Sequence, residues 1–224
     1  MRRFFSRAPA TATLLGLITA IFLFEAATGA IDNDMYLREL GAILPWSELR
    51  SSGQYWRLVS GMFLHEGWLH WVANSWALYQ LGFLYELMFG TPRFLFIYFA
   101  TGLIASFASS YNMPLGGSSV GASGAILGLL GAFIFSIRRS PQWRHERWTK
   151  SLLVQLVFWA VFNIILGFQI PQIDNTAHIA GLVSGLLLGL LPHRVPPQPP
   201  ATRVIDVRPY DDGAAYPHDV RGSE

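Results

Sequence analysis

Residues 152–168 read LLVQLVFWAVFNIILGF, an uncharged run in which apolar side chains occupy every face of a helix. A helix on the surface of a water-soluble domain carries its apolar residues on one stripe, at i, i+3, i+4 and i+7; one that is apolar all round has no side suited to water. At 1.5 Å per residue the run reaches about 25 Å, close to the ~30 Å hydrocarbon core of a bilayer. Five other stretches share its character, at 10–27, 58–88, 94–108, 123–137 and 176–191, two of them interrupted by polar groups. Composition agrees, because 52% hydrophobic against 13% charged residues leaves too little charge to cover the surface of a soluble domain of 224 residues. We therefore read an all-α, polytopic membrane bundle of six transmembrane helices.

The first run follows Arg2, Arg3 and Arg7 and ends near Glu25-Ala26-Ala27-Thr28-Gly29-Ala30, an arrangement shared with secretory signal peptides. Its apolar core is longer than a signal sequence requires, so we expect an uncleaved first helix. Orientation follows from Lys and Arg, which concentrate on the cytoplasmic side. With the N-terminus inside, thirteen of the sixteen basic residues fall on inside segments, five of them in 138–150. The outside segments keep Arg38, Arg50 and Arg57, and the loops 109–119 and 169–175 have no basic residue. The net charge of +2 is explained by this asymmetry and does not point to nucleic acid. The lack of cysteine excludes disulfides, thiol catalysis and Cys-ligated zinc.

The domain plan is then a short cytoplasmic N-terminus (1–9), a membrane domain (10–191) and a tail (192–224). The outer loop 32–59 carries Leu44, Pro45, Trp46, Tyr55 and Trp56, enough apolar surface to be ordered or to lie among headgroups. The tail opens Val195-Pro196-Pro197-Gln198-Pro199-Pro200 and has few apolar residues, so we expect a disordered cytoplasmic extension.

Polar groups inside apolar spans are costly and mark function. His65, His70 and Asn74 fall on the second span and His178 near the start of the sixth. A single intramembrane His also serves as an interhelical hydrogen-bond partner. His70 and Asn74, four apart, share one helix face and can address one target. The stretch His65-Glu66-Gly67-Trp68-Leu69-His70 has a superficial likeness to a zinc protease motif, but that motif places its histidines four apart. Here they are five apart, which turns the second ring by about 100°, so we expect no metal.

The fourth run opens Gly121-Ala122-Ser123-Gly124. Glycines at minus two and plus one leave a serine hydroxyl and nearby N–H groups open to a carbonyl, and a helix start favours negative charge developing there. Alone, such a pattern equally marks helix packing, since Gly124-x-x-x-Gly128 admits a close neighbour. The sixth run repeats the device with Gly181, Gly185 and Gly189 after Ala177-His178. Two such faces in parallel helices would meet. From Ser123 to Ile137 and from His178 to Pro192 there are about 14 helical steps, ~21 Å in each case, so the two side chains lie level as nucleophile and general base.

Together these residues resemble the rhomboid intramembrane serine proteases, in family order over roughly 10–191: Trp56-Arg57, then His65 with His70 and Asn74 on the second helix, then Gly121-Ala122-Ser123-Gly124, then Ala177-His178-Ile179-Ala180-Gly181. The resemblance implies a Ser123–His178 dyad and an oxyanion hole from His70, Asn74 and the Ser123 N–H. It further implies that Gly121 admits the substrate backbone, and that His65, Arg57 and Glu86 are structural. Many members carry an aromatic ring four residues after the nucleophile; Leu127 stands there, and we expect altered positioning of His178. Asp174 lies one turn before His178, but helix capping by Asp174, Asn175 or Thr176 is expected rather than a catalytic triad.

The implied activity is cofactor-free hydrolysis of peptide bonds in or beside transmembrane helices, in single-pass substrates entering past the fifth helix. The implied location is a multi-pass protein in a bacterial cytoplasmic membrane with both termini inside. A non-proteolytic relative that binds membrane proteins is the alternative, and a transporter lined by His65, His70 and Asn74 is a second.

Overall fold

The computed structural model describes residues 6–143 and 145–192. The tail expected to be disordered lies, from residue 193 onward, outside them. Helix α1 (Pro9–Thr28) starts on a proline, whose missing N–H costs nothing in a first turn. The buried Glu86 carboxylate completes that turn. It accepts the N–H groups of Ala10 at 3.0 Å and Thr11 at 2.8 Å and the hydroxyls of Thr11 and Thr91 at 2.7 and 2.6 Å. An anion at a helix N-terminus is favoured by the helix dipole, so Glu86 ties α1 to the end of the second span.

The segment after α1 folds into three short helices, α2 (Asp34–Leu40), α3 (Trp46–Ser52) and α4 (Arg57–Ser60). Asn33 caps α2 by accepting the Tyr36 N–H at 3.1 Å. The Arg57 guanidinium lies under this segment, donating to the carbonyls of Arg38 and Ala42 and to Gln54 Oε1. Burial, helped by the charge of Arg38 and opposed by Glu48, lowers its pKa from the ordinary value. Ile43 pairs with Ser119 as an isolated antiparallel bridge, with N–H···O distances of 2.9 and 3.0 Å.

The second span differs from the sequence reading. Helix does not run on from Leu58: α4 stops at Ser60, and α5 (Gly67–Ala77) starts only at Gly67. The backbone in between has other partners. The Gly61 carbonyl accepts the Gly121 N–H at 2.8 Å, and the His65 N–H donates to the Glu25 carboxylate at 3.2 and 3.3 Å. His65 therefore precedes the helix that carries His70 and Asn74, which corrects its placement on that helix. A π-helical turn, Leu78–Gly82, joins α5 to α6 (Phe83–Phe89), the kind of local insertion that redirects a helix without breaking it.

Four helices complete the described chain: α7 (Thr91–Asn112), α8 (Ser123–Arg139), α9 (Arg147–Gln169) and α10 (Asn175–Gly189). By length and composition α1, α7 and α9 can each cross a membrane. Helix α8 is the hub, buried along nearly its whole length, whereas α9 buries only Thr149, Leu156 and Ala160 and exposes Phe158, Trp159 and Phe162. Helices α8 and α10 run parallel with backbones in contact. A Cβ added at Gly181, Gly185 or Gly189 would lie 2.1, 2.0 or 2.6 Å from the carbonyl oxygens of Gly124, Gly128 and Ala132. Only glycine permits this approach over three successive turns.

Candidate active site

Ser123 is the first residue of α8 and His178 the fourth of α10, each near the start of its helix. With the two helices held parallel by their glycines, the side chains arrive at one level, Ser123 Oγ 2.9 Å from His178 Nε2. The other ring nitrogen, Nδ1, is buried and has no hydrogen-bond partner among the described residues. Asp174 does not reach it. Its Oδ1 accepts the Ala177 N–H at 2.9 Å as the N-cap of α10, and its Oδ2 accepts from the Ser109 and Ser119 hydroxyls.

Gly121 forms the opposite wall. Its φ of +121° is strained for any residue with a side chain, and a Cβ there would lie 2.6 Å from His70 Nε2 and 3.4 Å from Asn74 Nδ2. His70 and Asn74, one turn apart on α5, thus stand beside the backbone leading into Ser123. Asn74 is buried, and its Nδ2 donor has no partner among the described residues. An orphaned buried donor carries a penalty that a ligand oxygen can remove. Gly124 borders the same cavity, but a Cβ there would meet Ala105 at 2.6 Å and its carbonyl contacts Gly181, so its lack of a side chain serves packing.

His65 backs His70, the rings meeting edge to face with centroids 5.1 Å apart. Its Nδ1 lies 3.2 Å from the Phe63 carbonyl, and its backbone is held by Glu25. In the sequence Glu25 reads only as a carboxylate closing an apolar run, the mark of a span end; its complete burial belongs to the fold. Ser109 and Ser119 gave no pattern of their own. Among the described residues no three His, Asp or Glu side chains converge as a metal would need.

Ser123, His178, His70, Asn74 and Gly121 all line one cavity of about 760 Å³, which is also lined by Met113, Pro114 and the segment 170–173. That volume holds many waters and lies in the range of ligand-binding clefts. The arrangement provides a hydroxyl hydrogen-bonded to an imidazole, with amide and imidazole donors nearby, in a cavity of ligand-binding size.

A family model described as the Rhomboid domain matches residues 52–195. The chain is 34% identical over 168 residues to the rhomboid protease GluP of Bacillus subtilis (strain 168), covering 75% of this chain and 31% of that protein. It is 37% identical over 156 residues to RHOMBOID-like protein 5 of Arabidopsis thaliana, covering 69% of this chain and 49% of the relative. Rhomboid-like protease 5 of Toxoplasma gondii matches at 36% over 158 residues, 70% of this chain and 18% of that protein. The chain thus spans less than half the length of each of these relatives, and its match to the family model covers most of its own membrane region. It is an integral membrane protein that belongs to the rhomboid family.

Proposed function

We propose that this chain is an intramembrane serine endopeptidase that hydrolyses peptide bonds in or next to the transmembrane helices of other proteins. The observation that carries the reading is the 2.9 Å Ser123–His178 contact inside a cavity of about 760 Å³. Ser123 Oγ attacks the peptide carbonyl carbon as His178 Nε2 takes its proton, and the carbonyl π-electrons move onto the oxygen. His70, Asn74 and the Ser123 N–H, at the start of α8, donate to that oxyanion. His178 then protonates the leaving amine, and water, deprotonated by the same imidazole, releases the acyl group from Ser123. No metal or cofactor enters the scheme.

The membrane arrangement is part of this reading. Six spans are formed by α1, the α5–α6 unit, α7, α8, α9 and α10, with both termini in the cytoplasm of a bacterium and the cavity toward the outer face. Basic residues at the far end of α8, Arg138 and Arg139, support that orientation. Substrates are single-pass proteins whose helix unwinds locally, since helical carbonyls are already hydrogen-bonded. The word protease in the names of the Bacillus and Toxoplasma relatives supports hydrolysis. A non-proteolytic binding role leaves the Ser–His contact without a use.

The test is cleavage of a generic single-pass substrate by purified protein in lipid. Wild type cuts, and Ser123→Ala and His178→Ala each lose at least ~10³-fold with folding intact. Cleavage that survives Ser123→Ala refutes the mechanism.

A further inference from the structure

Each of the three residues that open α10 ahead of Ala177 and His178 reaches a different neighbour. Asn175 donates from Nδ2 to the Ile164 carbonyl of α9 at 3.3 Å. Thr176 accepts at Oγ1 from Asn112 Nδ2, at the end of α7, at 3.1 Å. Asp174 alone touches the segment that leads into the nucleophile. Its Oδ2 accepts the Ser119 hydroxyl at 2.7 Å and also the hydroxyl of Ser109, on α7, while its Oδ1 caps α10.

Ser119 stands four residues before Ser123, and Asp174 four before His178. The Ser119–Asp174 and Ser123–His178 contacts therefore join the same two stretches of chain at the same sequence separation. They form two rungs between the entry to α8 and the entry to α10. Toward the helix interiors the reacting pair is bracketed by the close approach of Gly181 to the Gly124 carbonyl. Toward the helix starts it is bracketed by the Asp174 rung. Ser119 is itself anchored, its backbone paired with Ile43. Helix starts are otherwise free to splay, and a misplacement of about 1 Å between reacting groups lowers a rate by roughly 100-fold.

We propose that Asp174 is a positioning residue: through Ser119 it sets the Ser123 hydroxyl level with the His178 imidazole. The inference rests on the proposed Ser–His reaction. It assigns Asp174 a role other than third member of a triad, since both of its oxygens are engaged elsewhere and His178 Nδ1 has no partner among the described residues.

The test uses the full chain in lipid, reading the rate of Ser123 modification by a fluorophosphonate, kcat and KM for a membrane substrate, and the unfolding midpoint. Ser119→Ala keeps the cap on α10 and removes only the cross-link. It is expected to slow labelling and kcat by about tenfold or more with KM within about threefold and the unfolding midpoint nearly unchanged. Ser119→Thr, which keeps the hydroxyl, restores the rate. In the Asp174→Ala background the further change Ser119→Ala has little added effect, because both remove one interaction. Wild-type labelling rates in Ser119→Ala, or losses that multiply in the double variant, overturn the rung while His178→Ala remains unlabelled. If His178→Ala labels as fast as wild type, the base role fails and the rung with it.

Discussion

Gly121 shows what a single residue contributes to this site. Its positive φ and the 2.6 Å between a would-be Cβ and His70 Nε2 leave no room for a side chain. In the proposed reaction this narrow space admits no methyl group but takes the substrate carbonyl oxygen at hydrogen-bond distance, between Ser123 and the donors His70 and Asn74. Gly121→Ala should therefore lower peptide cleavage by about 100-fold or more while adding ~1–3 kcal/mol of backbone strain. The measurement is cleavage rate beside the unfolding midpoint, and near-wild-type cleavage by this variant would remove the space from the mechanism. The glycine was evident in the sequence, as was the His70–Asn74 spacing. Their meeting was not, because the approach to α8 is tied by the Gly61–Gly121 hydrogen bond to the segment between α4 and α5, through backbone groups with no side-chain signature.

At the scale of elements, the parallel α8–α10 pair determines whether Ser123 and His178 can touch. Both glycine repeats are plain in the sequence, and equal helix lengths below the two side chains are enough to argue that they lie level. The backbones pack so closely that a Cβ at Gly185 would come within 2.0 Å of the Gly128 carbonyl. The obstacle is main chain, so no rotamer change relieves it, and the helices must separate. Gly185→Ala is expected to destabilise the protein by about 1–3 kcal/mol and to reduce fluorophosphonate labelling of Ser123, seen as a lower unfolding midpoint and slower labelling together. An unchanged midpoint would mean that the helices part at no cost. The second span was less legible. Its apolar pattern runs through Leu58, but the backbone between Gly61 and His65 is spent on Gly121 and Glu25, and hydrophobicity carries no record of those partners.

For the whole molecule, orientation in the bilayer is the property on which cavity access depends. The chain has no cysteine, so a single introduced thiol reports its own side. Leu115, 79% exposed beside the cavity, and Gln142, exposed in the basic loop after α8, lie beyond opposite ends of that helix. A membrane-impermeant maleimide should label Leu115→Cys on intact cells and Gln142→Cys only after permeabilisation. The reverse pattern would turn the cavity toward the cytoplasm. The same asymmetry of Lys and Arg that predicts this result accounts for the overall charge.

Properties written in composition and periodicity were decided by the sequence alone: a membrane class, the runs that become α1, α7 and α9, the small-residue faces, and a serine and a histidine at matching distances from their helix ends. Each depends on contiguous residues, because burial in lipid and helix geometry act locally along the chain. The tertiary structure alone decided which groups cross between segments. These are the Glu86 carboxylate on the start of α1, Glu25 on the His65 amide, and Asp174 on Ser119. A carboxylate takes whatever donors surround it in space, and those donors lie 40 to 76 residues away in the chain.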